Sequence, residues 1–457
     1  MHQQDADTEA LTDAIVRYAV YRVRLDPPLD HARSASELMA QTGVTITPGG
    51  IGGLEALRLF RDVLAPSTIS TDHTRFLSFV PAAPTEAAIL FDLIVGASSI
   101  YAGSWMEGAG AVFAENQALR WLSDLAGLPA DAGGVFVSGG TNGNLSALIA
   151  ARHRWRQLAA GHKDRVRGLI VASSGAHSSI AAAARAMDAD ILLVPADERG
   201  RLHGDPLRVA VSGLIDEDRD RVFAIVATCG TTNAGVIDDL EGAGRMAADL
   251  GVWFHVDGAY GAAAMCSPTQ RPKFNGIELC DSFIVDPHKW LFAPFDCCAL
   301  IYRDPAIARA AHTQHAEYLE ALHGDHQGEL EWNPSDYAHH LSRRARGLPF
   351  WFSLATYGTD RYAEALDTTM QLTAEVARMI DDAPHLELLL EPELSIVLFR
   401  RVGWTSGDYN TWSNNELMAG HAFVVPTAWA GEPMLRFCFV NPLTTTTEVG
   451  DILDSLR

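Results

Sequence analysis

The chain has 457 residues, 48% hydrophobic and 20% charged, the composition of a globular protein with two or three units of roughly 100–200 residues each; a disordered tail, a coiled coil and a collagen are excluded. Acidic residues number 57 against 35 basic ones, and the net charge of −22 repels phosphate backbones and anionic membranes. The longest apolar runs, such as 87–94 and 147–151, stop well short of the roughly 20 residues a bilayer requires, so neither nucleic acid nor a membrane is an expected partner.

The first residues, MHQQDADTEALTD, are polar and acidic and lack the charged and apolar regions of a secretory signal, so a cytoplasmic location is expected. Apolar spacing predicts helices over 8–25 and 53–65, separated by the Pro-, Gly- and Thr-rich connector 42–53. We assign 1–72 to a helical N-terminal arm with no large core of its own. From 86 to 305, strand-like runs alternate with helical ones. The strands are GVFV (134–137), GLIVAS (168–173), ILLVP (191–195), VFAIVAT (222–228), VWFHVD (252–257) and SFIVD (282–286). Between them NLSALIAARHRW, AHSSIAAAARAM and DLEGAGRMAADL have the length of crossover helices. This alternation predicts an α/β fold with a mostly parallel sheet, and we assign 73–347 to that large domain. After residue 347 a long helix, 350–381, is followed by LSIVLFRR, HAFVVP and MLRFCFV as strands and by a final helix, which gives a small α+β domain over 348–457.

In an open parallel sheet, functional groups gather at the carboxyl ends of the strands. After GVFV comes SGGTNGN, Ser138 to Asn144, where glycines allow close backbone approach and a helix N-terminus offers free amides to an anion such as a phosphate. The turn lacks the lysine of a nucleotide P-loop and the spacing of GxGxxG, and by itself reads equally as structural. His177 opens the helix after GLIVAS, as a site residue or as part of a helix-starting polar cluster. Asp257, at the end of VWFHVD, is either a helix cap or a carboxylate that keeps a heteroaromatic nitrogen protonated, as pyridoxal phosphate requires.

Only three of the 35 basic residues are lysines. Lys163 and Lys273 lie in polar, turn-rich connectors, whereas Lys289 follows an apolar strand, 32 residues after Asp257. A lysine there is costly as a buried charge unless it is neutralised, which Schiff-base formation does; a solvated polar turn with Asp286 and His288 is the alternative. The anion cradle, the aspartate and the lysine together make the parts of one cofactor site. The six cysteines, at positions 229, 266, 280, 297, 298 and 438, show no CxxC spacing and read as reduced. His312, His315, His323, His326, His339 and His340 are six of the 17 histidines; no cysteine or strand completes a ligand set, so no metal is expected and the cluster reads as lining the mouth of the site or tuning loop closure with pH.

The ordered blocks HTRFLSFVP (73–81), SGGTNGNLSAL (138–148), AHSS (176–179), ATCGTTNAGVIDDL (227–240), HVDGAYG (255–261), DPHKWL (286–291), SRRARGLPFW (342–351) and LRFCFVNP (435–442) resemble the group II pyridoxal-phosphate-dependent amino acid decarboxylases. The resemblance extends from about residue 70 to the C-terminus. It implies a type I aminotransferase-like fold, a homodimer with the active site at the subunit interface, and pyridoxal 5'-phosphate as cofactor. The implied reaction is decarboxylation of an L-amino acid, aromatic ones among the candidates, to the amine and carbon dioxide through a lysine Schiff base and a quinonoid. Decarboxylation coupled to oxidative deamination, giving an aldehyde, is the alternative.

By resemblance Lys289 is the Schiff-base lysine, Asp257 the pyridinium partner and His177 the residue stacked on the ring. Gly140, Thr141 and His288 match the phosphate cradle, Thr232 and Ala259 match residues around the ring and its hydroxyl, and Tyr318 matches the loop tyrosine that protonates the quinonoid carbon. The chain departs from the pattern at His73–Thr74, where a histidine–proline pair is usual, and at Asn142–Gly143, which replaces the usual acidic residue.

Overall fold

The computed structural model describes residues 5–158, 166–317, 319 and 331–457. The chain opens on α1 (Ala6–Arg24) and α2 (Ala35–Thr42), each started by a side-chain cap: Asp5 accepts the Thr8 N–H, and Ser34 and Glu37 form a reciprocal capping box. Neither helix buries a residue. α3 (Gly53–Leu59) continues through a wider turn to Leu64 and a tighter one to Ser67. Two long helices follow, α4 (Glu86–Ser98) and α5 (Trp105–Ala126), and α5 leads into the sheet.

The first sheet contains β1 (Gly133–Val137), β2 (Leu169–Ser173), β3 (Asp190–Val194), β4 (Val222–Thr228), β5 (Trp253–Asp257), β6 (Ser282–Val285) and β7 (Cys298–Tyr302). Their order is β1-β7-β6-β5-β4-β2-β3. β7 runs antiparallel to both β1 and β6, and the other neighbours pair parallel, so every strand but β7 ends at the same edge. All strands except the edge strand β3 are buried at every position, because crossover helices cover both faces. Among those helices are α6 (Gly140–Leu158) and α7 (Ser178–Ala186). The α/β expectation with a mostly parallel sheet holds. β7 carries no signal of its own in the sequence: its short apolar run directly follows two cysteines and a Pro-containing turn, and no crossover helix precedes it.

The second sheet is antiparallel, with β8 (Leu386–Leu388), β9 (Ile396–Arg401), β10 (Thr427–Trp429) and β11 (Glu432–Cys438) in the order β10-β11-β9-β8. Leu372, Val376 and Ile380 from one helix and Val449 and Ile452 from another pack on Val397, Phe399, Leu435 and Phe437 to form its core. Two expectations are corrected here. The helix predicted over 350–381 is broken by Gly358, whose φ of +77° suits glycine, into Leu348–Tyr357 and Thr359–Asp381. HAFVVP is not a strand of this sheet. Its backbone is satisfied by the segment before α4 instead: Phe423 donates to Arg75 O at 3.0 Å and accepts from Leu77 N at 3.1 Å.

Candidate active site

Parallel pairing places the ends of β4, β5 and β6 side by side, with Thr228 opposite Asp257 and Asp257 opposite Ile284. The turns that leave these strands, together with the β1–α6 and β2–α7 turns, enclose a cavity of about 260 Å3. Gly140, Thr141, His177, Thr232, Asp257, Ala259, His288 and Lys289 all line it, with Asn144, Thr228, Tyr260 and Asp286 among the other wall residues. The eight cofactor-site residues singled out in the sequence therefore meet in one place. Tyr318 lies outside the described residues, as do His323, His326 and Lys163.

α6 begins at Gly140, so the N–H groups of Gly140 and Thr141 lack helical acceptors, those of Asn142 and Gly143 bonding to Gly139 O, and the dipole favours an anion there. A Cβ at position 140 would sit 3.2–3.3 Å from Ile284 Cδ1, Ala259 Cβ and Asp286 Oδ2, so a side chain here would crowd the wall of the cavity. His177 is the N-cap of α7 and also lines the cavity: its Nδ1 accepts the Ser179 N–H at 3.2 Å. The two readings of this residue are thus compatible. Asp257, in contrast, caps no helix. It is 4% exposed, and its Oδ1 accepts the Ala259 N–H at 3.2 Å while Oδ2 accepts an Asn144 N–H at 2.9 Å.

Lys289 Nζ lies 3.0 Å from Asp286 Oδ2. Burial pushes the ammonium down, but Asp286 and Asp257 together outweigh it, and the group ends above the ordinary lysine value. His288 Nδ1 lies 2.6 Å from Cys297 O, and burial lowers its pKa. Two cavity-wall atoms, Thr228 Oγ1 and Asp286 Oδ1, are buried without a hydrogen-bond partner. Lys273, the other described lysine, donates to Glu393 O at 2.6 Å and does not line the cavity. All six cysteines are free and buried, and burial raises every thiol pKa, so none is poised as a thiolate.

Several buried polar residues carry no role in the sequence reading, and one of them, Asn144, holds a site residue. Asn144, quoted only within the glycine-rich block, is 1% exposed and contacts Asp257, Ser179 and His255. Arg343 and Glu115 form a buried bidentate pair at 2.7 and 3.0 Å, and Glu115 also accepts the Gly347 N–H at 2.7 Å. Arg436 donates to Phe79 O at 2.7 Å, while its Nε and Nη2 are buried without a partner. The blocks SRRARGLPFW and LRFCFVNP contain both arginines, but composition cannot separate a buried guanidinium from a solvated one. In the histidine cluster, His312 Nε2 donates to Ser146 O at 3.0 Å and the His339 N–H to Ser146 Oγ at 3.1 Å, which ties both residues to α6. Among the described residues no three His, Cys, Asp or Glu side chains form a metal-binding group.

A strand-end lysine and aspartate facing an anion-binding turn on a mostly parallel sheet define the class of enzymes that work through a bound aldehyde cofactor. The sequence model of the pyridoxal-dependent decarboxylase conserved domain matches residues 55–402. The chain is 31% identical over 402 residues to the aromatic-L-amino-acid decarboxylase of Bacillus atrophaeus, covering 84% of this chain and 81% of that protein. It is 30% identical over 473 residues to the L-2,4-diaminobutyrate decarboxylase of Rhizobium meliloti (strain 1021), covering 98% and 92%. The solved structure of Oryza sativa TDC with PLP and tryptamine shares the fold with a TM-score of 0.90 at 23% identity, covering 100% of this chain and 98% of that one. The chain belongs to the pyridoxal-dependent decarboxylase family. It is a carboxy-lyase dependent on pyridoxal 5'-phosphate, with the type I fold expected from its sequence.

Proposed function

We propose that the protein decarboxylates an L-amino acid to its amine and carbon dioxide, with Lys289, Asp257 and His177 as the residues that touch the cofactor. The observation that carries this reading is the placement of Lys289 and Asp257 at the ends of adjacent strands, on one cavity with the Gly140 turn. The residues present suit the cofactor. Gly140, Thr141 and His288 would hold its phosphate, Thr232 and Ala259 would pack around its ring and hydroxyl, and the unpartnered Thr228 Oγ1 leaves a polar atom for it to satisfy. When bound, pyridoxal phosphate supplies an electron sink for the pair left behind by carbon dioxide.

The chain's own groups do the rest. Lys289 reacts only as a free amine, and Asp286 Oδ2, 3.0 Å away, fixes where Nζ sits on the cavity wall. Asp257, desolvated and fixed by two N–H donors, supplies the negative charge that holds a ring nitrogen protonated. His177 is pinned through Nδ1, so its ring has one orientation over the cavity. Tyr318 is assigned by resemblance as the donor that returns a proton to the product carbon.

We assign the active form as a cytoplasmic homodimer with the site at the subunit interface. The dimer is supported by the pair of arm helices, which bury no residue fully within the chain and expose Ile15, Val16, Tyr21 and Met39. Among the described residues no helix is long and apolar enough to cross a membrane. The matched relatives are named for aromatic L-amino acids and for L-2,4-diaminobutyrate, so a panel of both, with aromatic amino acids first, is the test. Carbon dioxide and amine in equal amounts are expected. Aldehyde, ammonia and peroxide in place of amine would transfer the assignment to the oxidative reaction.

A further inference from the structure

The polar groups behind the cavity wall form a branched chain of hydrogen bonds whose direction is fixed. Trp253, Ser282, His255, Asn144 and Ser179 are each at most 3% exposed, so each of their polar atoms needs a partner inside the protein. A carboxylate accepts only, so Asn144 turns its NH2 toward Asp257 Oδ2, at 2.9 Å. Its carbonyl Oδ1 then faces His255 Nε2 at 2.8 Å, which must carry the hydrogen. Burial holds His255 neutral, with its pKa pushed down to about 4, so Nδ1 is an acceptor. Ser282 Oγ, 2.8 Å from that nitrogen, therefore donates to it and has its lone pairs left for the Trp253 indole N–H, also at 2.8 Å. Trp253 can only donate, so the chain closes with every group satisfied.

The second hydrogen of the Asn144 amide goes to Ser179 Oγ at 2.9 Å. Ser179 passes its own hydroxyl hydrogen to His177 Nδ1, 2.9 Å away, and its backbone N–H reaches the same nitrogen. A neutral His177 then carries its proton on Nε2. The Asn144 amide is thus the fork at which one directed chain, starting from Trp253, divides toward Asp257 and toward His177.

We infer that Asn144 is a positioning residue that acts on two groups of the site at once, as the donor held on Asp257 and, through Ser179 Oγ, as support for the Nδ1-acceptor tautomer of His177 that the Ser179 backbone N–H also selects, and that His255 fixes Asn144 in the one amide orientation that does both. This rests on the reading of Asp257 and His177 given above. His255 acts through Asn144 and touches neither member of the pair it controls. A flipped amide would set its oxygen against Asp257 and force Ser179 to donate away from His177.

Two measurements test this on the full chain. In the cofactor-free protein labelled with 15N-histidine and assigned with His177→Gln, His177 is expected to show an unprotonated Nδ1 and a protonated Nε2. A protonated Nδ1 overturns the inference, and this result is independent of whether the site binds the cofactor as proposed. The second measurement compares two replacements of His255 by cofactor titration followed through tryptophan fluorescence. His255→Leu removes the donor to Asn144 and should weaken binding about tenfold, whereas His255→Gln keeps an N–H where Nε2 stood and should remain within about threefold of the parent. Asn144→Leu should weaken binding by roughly tenfold to a hundredfold and shift the His177 nitrogen signals. Equal losses in the leucine and glutamine variants of His255, or unchanged His177 signals in Asn144→Leu, would show a merely structural role.

Discussion

The N-terminal arm and the strand-end cavity differ in how each polar group is satisfied. α1 and α2 depend on local caps, and α1 on a half-buried ion pair, Arg22 with Asp72, whose side chains are 31% and 29% exposed. In the interior of the large domain polar groups are fully buried and answered from distant positions: Asn144 to Asp257 on the cavity wall, Arg343 to Glu115 away from it. Substitutions in the arm should therefore affect surfaces and assembly, while those around the cavity should affect chemistry and folding.

The largest effect falls on the chemistry of the cavity itself. Lys289→Ala should abolish decarboxylation and visible absorbance, and because it strands the buried Asp286 it should also lower the thermal midpoint; measurable turnover without the amine would remove the contrast between the regions. Next comes Arg343→Met, which strands Glu115, 2% exposed, in the interior. Breaking a buried pair by removing one partner costs about 3–5 kcal/mol, read as a lower urea midpoint.

Acid should also act on the buried region first. Burial pushes His255, His312 and His340 down to about 4 from 6.5. Between those values the unfolded chain binds protons that the folded chain refuses, so stability falls as pH drops from 6.5 toward 4. Asp238, raised by burial to about 7, contributes with the opposite sign and offsets part of that loss. Urea midpoints at pH 7.5 and 5 check the balance, and His312→Gln should flatten the dependence. The smallest effect belongs to the arm: Arg22→Met should cost about 1 kcal/mol or less by the same midpoint, because a pair that water still reaches gains little. A larger loss would mean the arm is held as tightly as the cavity.

The same contrast explains what was legible in the sequence. Strand-end residues were readable because each follows an apolar run and precedes a turn, which marks Gly140, His177, Asp257 and Lys289 by position alone. The scarcity of lysine sharpened the choice of Lys289. Partnership was not readable: nothing local distinguishes Asn144 from a helix-starting asparagine, or Arg343 from its neighbours Arg344 and Arg346, since their partners lie 113 and 228 residues away. The absent strand at 421–426 has the same cause, a contact with distant backbone that overrides local pattern, whereas the break at Gly358 is local, a glycine at positive φ.

The central claim is that Lys289 is the amine that carries the cofactor. Borohydride reduction of the purified protein followed by peptide mass mapping tests it directly, because the chain has only three lysines to distinguish. A phosphopyridoxyl group on the peptide containing Lys289 is the expected result; the group on Lys163 or Lys273, or on no lysine in a colourless protein, would contradict the account.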